Sequence, residues 1–134
     1  MAASSQHDKI VSFIAGKIQR LGFKIICMEG SHTDVINYSP QLPSKLINHR
    51  PDIYGLNDKG AICIGEAKTN NDLNSKRTKT QLSDFRNIIK QLPDNLLIIG
   101  IPFGSKGKLI TILQDLEIAF DNQIDIMEIP LTFL

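Results

Sequence analysis

The run Ala-Ile-Cys-Ile-Gly-Glu-Ala-Lys at residues 61–68 constrains the fold more than any other part of the chain. It is apolar on both faces until its end, the pattern of a central strand covered on both sides. Residues 51–57 read as a second strand, and Asp58-Lys59-Gly60 joins the two. A three-residue loop ending in glycine suits a hairpin with a bulge, because glycine takes a positive φ without penalty.

This hairpin fixes a neighbour relation. If Asn57 faces Ala61 across the loop, Asp52 faces Glu66. Directly opposed residues have Cβ atoms about 4.5–5.5 Å apart. Strand side chains alternate with period two, so Lys68 shares the face of Glu66, about 7 Å along the strand. A loop shifted by one residue would pair Asp52 with Ala67 and turn it to the other face.

The remaining elements follow from periodicity. Residues 5–21 read as a helix, with Ile10, Phe13, Ile14, Ile18 and Leu21 at three- and four-residue spacing, Ser4 or Ser5 as cap and Gly22 just past its end. Residues 23–28 read as a strand, 78–92 as a helix ended by Pro93, 96–101 as a buried strand, 106–120 as a helix and 124–129 as a last strand. Residues 30–50, with Pro40 and Pro43, resist assignment; a connection this long is often functional. The expected order is αβββαβαβ. That order implies a single α/β domain spanning residues 1–134, with helices flanking a mixed central sheet.

Composition narrows the class. A hydrophobic fraction of 42% with 22% charged residues fits a soluble globular chain, and no run approaches the ~20 apolar residues of a membrane span. The start, Met-Ala-Ala-Ser-Ser-Gln-His-Asp, lacks the pattern of a secretory signal, so none is expected. Cys27 and Cys63 lie in apolar runs without a CxxC partner. They read as buried reduced thiols, which fits a cytoplasmic, intracellular setting. Net charge is +1, yet residues 68–90 hold six Lys or Arg against two acids, while residues 91–134 hold two against six. A basic middle is what a phosphate-binding side would show, and a solvated helix face gives the same count.

Two carboxylates as close as Asp52 and Glu66 repel one another. In a sheet lined with isoleucine, one must take a proton or a cation must lie between them. Carboxylate oxygens suit Mg²⁺ or Mn²⁺, and the Ala67 carbonyl could add a ligand. Lys68 beside them could hold a water or hydroxide and stabilise charge on a phosphate oxygen. The competing reading is a strand-end salt bridge of little energetic worth.

Pro51-Asp52 followed by Glu66-Ala67-Lys68 resembles the PD-(D/E)XK motif of the restriction-endonuclease-like superfamily, and the αβββαβ order over residues 5–101 resembles that superfamily's core. An extra helix and strand follow at the C-terminus. The resemblance implies a Mg²⁺-dependent (or Mn²⁺-dependent) endonuclease acting on DNA, with Asp52 and Glu66 on the metal and Lys68 activating water. Relatives often add an acid from the first helix. Asp8 is the candidate here, although a first-turn Asp favoured by the helix dipole reads equally well. In RecB-like relatives a Gln four residues before an aromatic supports the site, which points to Gln81 ahead of Phe85. Thr78-Lys79-Thr80-Gln81 also fits a capping box. Gly30-Ser31 resembles a short motif of archaeal Holliday-junction resolvases, which makes Ser31 a substrate candidate beside His49, Arg50, Lys76, Arg77 and Lys79. Gly104-Ser105-Lys106-Gly107-Lys108 lacks the spacing of a phosphate loop and reads as a turn into a helix. The resemblance further implies pairing as a homodimer. Two other readings stay open: a catalytically inactive nucleic-acid-binding or assembly module, and a subunit of a larger defence or mobile-element complex.

Overall fold

A computed structural model of the chain describes residues 5–29 and 49–134. The elements run α1 (Ser5–Arg20), β1 (Lys24–Met28), β2 (Ile53–Leu56), β3 (Ile62–Ala67), α2 (Lys76–Ile89), β4 (Leu96–Pro102), α3 (Lys106–Asp115) and β5 (Ile124–Ile129), with a final 3-10 turn at Leu131–Phe133. The five strands form one sheet in the order β1-β2-β3-β4-β5. β1, β2 and β3 pair antiparallel, and β3, β4 and β5 pair parallel, so the sheet is mixed. No described helix is long and apolar enough to cross a membrane.

The hairpin has the expected register, with Ile53 opposite Gly65 and Leu56 opposite Ile62. Its loop is fixed by Asn57. The side-chain Oδ1 of Asn57 accepts from Lys59 N at 3.0 Å and Ala61 N at 2.9 Å, while its own amide donates to Ala61 O at 3.1 Å. Gly60 closes the turn at φ 80°, a conformation that glycine adopts freely. The buried Asn95 then accepts the Ile62 amide at 2.8 Å, which satisfies the start of the central strand.

Two apolar layers cover the sheet. On one face Ile10, Ile14 and Ile18 of α1 pack on Ile25, Ile53, Cys63 and Ile98. On the other, Leu82, Phe85 and Ile89 of α2 and Leu109, Ile112 and Leu113 of α3 pack on Ile64, Leu97, Ile99 and Ile101. Each such side chain, fully buried, contributes about 1.5–3 kcal/mol. The first helix sits unusually close. A Cβ at Gly65 would lie 2.7 Å from Ile14 Cγ2, and one at Gly100 would lie 2.7 Å from both Ile10 Cγ2 and Ile14 Cδ1. Two strand positions without side chains therefore let α1 rest on the backbone of the central strands.

Several boundaries differ from the sequence reading. The second helix starts at Lys76 and ends at Ile89, because Ser75 caps it by accepting from Thr78 N. Leu92 consequently lies beyond the helix and is exposed, as is Leu21. Phe13 is also largely out of the core and meets the Phe133 ring at 5.8 Å. The third helix stops at Asp115, since Glu117 takes φ 58° and breaks the helical path. Cys63 is fully buried, and burial pushes its thiol up to about 12; Cys27 is half-buried.

Candidate active site

The site forms where the hairpin opens, at the end of β3 away from the Gly60 loop. Continuing the register places Asp52 opposite Glu66. The Asp52 amide donates to Glu66 Oε1 at 3.1 Å, and Asp52 Oδ2 accepts from Ala67 N at 2.8 Å. Ile64 belongs to the layer under α2, and period-two alternation carries Glu66 and Lys68 to that face. Lys68 Nζ stands 3.6 Å from Glu66 Oε2 and donates to Gln81 Oε1 on α2. Lys68 N donates to Gly100 O at 2.9 Å, which extends the parallel ladder and holds the backbone that carries the lysine.

All three charged residues are removed from water: Asp52 is 6% exposed, Glu66 1% and Lys68 8%. Surface ion pairs of small energetic worth are not of this kind. Burial and the Asp52 carboxylate push Glu66 well above the usual carboxylate range, against the pull of Lys68. Burial also pushes Asp52 upward, but hydrogen bonds from His7, from Glu66 and from the Ala67 amide outweigh it and leave Asp52 lowered. Of the two, Glu66 is the carboxyl that its surroundings drive toward the protonated form, and Asp52 the one they favour ionised.

These side chains face a cavity of about 800 Å³, lined also by Gln6, His7, Glu29, Arg50, Thr69, Asn71, Asp72 and Arg77. Its lining mixes acids (Glu29, Asp52, Glu66 and Asp72) with cations (Arg50, Lys68 and Arg77).

Two of the groups around Asp52 are not singled out by sequence reasoning. His7 Nε2 lies 3.2 Å from Asp52 Oδ2, and this hydrogen bond raises the imidazole pKa against the opposing effect of burial. Glu29, just past β1, donates its amide to Asp52 O at 2.8 Å; burial, then its hydrogen bond with Asp52, raises its carboxyl. The signal for His7 lay in the helix phase. His7 continues the stripe of Ile10, Ile14 and Ile18, whereas the next residue is turned by about 100°. Asp8 accordingly misses the cavity. Its half-exposed carboxylate lies 3.8 Å from His7 Nδ1, and the residues that α1 brings to the cavity are Gln6 and His7.

The other candidates divide in the same way. Gln81 is 4% exposed and belongs to the cavity. The capping box read at Thr78–Gln81 does not form, because the helix begins earlier and Ser75 and Thr78 make the cap. Arg50 and Arg77 line the cavity, while Lys76 and Lys79 do not. His49 is turned away: its Nδ1 meets Asp84 Oδ2 at 2.6 Å, and its ring stands edge-on to Phe85. The imidazole is thereby tied to α2. Ser31 lies outside the described residues.

The donor set fits a small hard cation. Two neighbouring carboxyls, of which Glu66 is raised by burial and by the Asp52 charge, share the cavity wall with the Ala67 backbone, and a cation between them would relieve that repulsion. Among the described residues no group of three or more His, Cys, Asp or Glu side chains is arranged as a ligand cluster. Asp52 and Glu66 would fill only part of a coordination shell, the usual arrangement for Mg²⁺, which keeps several waters.

Neither a family model nor a curated protein matches the chain. Among solved structures, the crystal structure of a repair endonuclease from Pyrococcus abyssi is similar over 97% of this chain and 48% of that one, at 14% identity and a TM-score of 0.46. The chain spans about half the length of that protein, and a likeness at this level adds nothing to what the site itself says. What the coordinates define is an α/β domain with two buried carboxyls and a buried lysine converging on one cavity.

Proposed function

We propose that this chain is a Mg²⁺-dependent nuclease of the PD-(D/E)XK type that hydrolyses DNA phosphodiester bonds. The observation that carries the reading is the meeting of Asp52, Glu66 and Lys68 at one end of the central hairpin, all buried and all facing the same cavity.

In this account Asp52 and Glu66 hold the ion, with the Ala67 carbonyl as a further oxygen donor. When bound, Mg²⁺ would acidify a water and neutralise charge on the phosphate. Lys68, held by Gln81, keeps the attacking water beside the phosphorus and offsets the charge that builds on a non-bridging oxygen. Arg50 and Arg77, which line the same cavity, bind the phosphate. The water oxygen bonds to phosphorus and gives up a proton to solvent, the P–O ester bond breaks, and the departing alkoxide takes up a proton from solvent and leaves as an alcohol.

The test is cleavage of plasmid, branched and single-stranded DNA with Mg²⁺ or Mn²⁺ by the wild type and by the Asp52→Asn and Lys68→Ala variants. Loss of at least a hundredfold in rate by folded variants is expected, since preorganised charge of this kind is worth about 10²–10³ in kcat. Unchanged cleavage by either variant would remove the mechanism. Absence of cleavage in the wild type, with DNA still bound, would leave a binding module on a nuclease-like site.

A further inference from the structure

The proposed chemistry leaves unused two lysines on the first turn of α3, Lys106 and Lys108. This turn is tied to the cavity wall through Asn70. Asn70 Oδ1 accepts from Ser105 Oγ at 3.0 Å, and its backbone carbonyl accepts from Lys108 Nζ at 3.1 Å. The chain neighbours of Asn70, Thr69 and Asn71, both line the cavity. Ser105 is 4% exposed, so the tie is internal and holds wall and helix as one unit.

Among the described residues neither Lys106 nor Lys108 forms an ion pair. Asp72, an acid of the same wall, accepts from Thr69 Oγ1 at 2.8 Å. Asp115 lies at the far end of α3, and Glu128 on β5 pairs with neither lysine. Lys106 and Lys108 thus add two unpaired cations beside a wall that already carries Lys68 and Arg77.

We propose that Lys106 and Lys108 bind phosphates of the DNA backbone outside the cavity, beside the bond being cut. The inference rests on the DNA reading above. It extends the substrate path beyond the cavity to a second element and explains why the loop after Lys68 is fastened to α3. A polyanion is the occupant that complements two uncompensated lysines continuous with an arginine-lined cavity.

The experiment measures binding of a duplex of about twenty base pairs by the metal-free full chain in EDTA, as a function of salt. Wild type, the Lys106→Ala/Lys108→Ala double variant and Lys59→Ala are compared. Lys59 sits at the hairpin tip, at the opposite end of the sheet, and serves as the control. The double variant is expected to bind more weakly and to lose about two from the slope of log K against log salt, close to one per phosphate contact, with Lys59→Ala unchanged. A double variant with wild-type affinity and slope would overturn the proposal, as would a wild type that does not bind the duplex. Binding is read without metal, so failure of the hydrolytic reading shows separately, as absent cleavage by a protein that still loses affinity with Lys106 and Lys108.

Discussion

Lys68 and Gln81 are hydrogen-bonded, Nζ to Oε1, between the end of the central strand and the second turn of the helix that follows it. Both are buried, so the ammonium is aimed by the fold rather than by solvent. If Lys68 holds the attacking water, Gln81 is a positioning residue. Gln81→Ala is expected to lower kcat about 10- to 100-fold, the usual cost of removing an outer partner, and to leave Mn²⁺ affinity unchanged. In the Lys68→Ala background the same substitution should cost little more, because the two act as a unit. Steady-state kinetics on the four proteins decide it; additive losses would mean that Gln81 acts elsewhere.

The opposed shifts of Asp52 and Glu66 make stability depend on pH. Glu66 is raised in the folded chain, so between the ordinary carboxylate range and its folded pKa the unfolded chain binds fewer protons than the native one. Stability therefore falls as pH rises through that window. His7, also raised, adds stability that is present below its unfolded pKa and lost as pH rises through the folded one. Asp52, lowered, contributes in the opposite sense, with its share lost as pH falls through its folded pKa. Urea unfolding in EDTA from about pH 5 to pH 8 should show wild type losing stability with pH. Glu66→Gln should lose less, because only the shares of His7 and Glu29 remain. Equal losses in the two proteins would contradict the assignment of the proton to Glu66.

The close seat of α1 on the sheet positions His7, and it depends on glycine. Gly100→Ala would drive a methyl to 2.7 Å from Ile10 Cγ2 and Ile14 Cδ1, and to 2.9 Å from Ile14 Cγ1. Ile14 Cγ1 and Ile10 Cγ2 sit on the branch of their side chains and cannot swing clear. Overpacking of this kind costs about 1–3 kcal/mol. Urea denaturation should show that loss, together with weakened metal binding as α1 lifts away from Asp52. A neutral Gly100→Ala would mean that the helix shifts freely.

How much of this was legible in the sequence depends on the range of the forces involved. The hairpin could be read because its register is local. Asn57, Gly60 and Ala61 settle it within five residues, and the pairing of Asp52 with Glu66 then follows. Arg77 and Arg50 could be named from chain proximity to the motif. His49 could not be placed, because its partner Asp84 is 35 residues away and belongs to a helix whose rotation the pattern does not give. The start of α2 was misread because Ser75-x-x-Thr78 and Thr78-x-x-Gln81 are both acceptable caps, and only packing of Thr78 and Gln81 into the structure chooses between them. Glu29 lies beside Asp52 through the pairing of β1 with β2, which spans a long connection.

The central claim is that Asp52 and Glu66 share one divalent ion. Calorimetric titration of the folded chain with Mn²⁺ tests it directly, run in parallel on wild type, Asp52→Asn and Glu66→Gln. The account predicts one ion per wild-type chain and a loss of affinity of at least about tenfold in each variant. A wild type that takes up no ion, or variants that bind it as the wild type does, would contradict it.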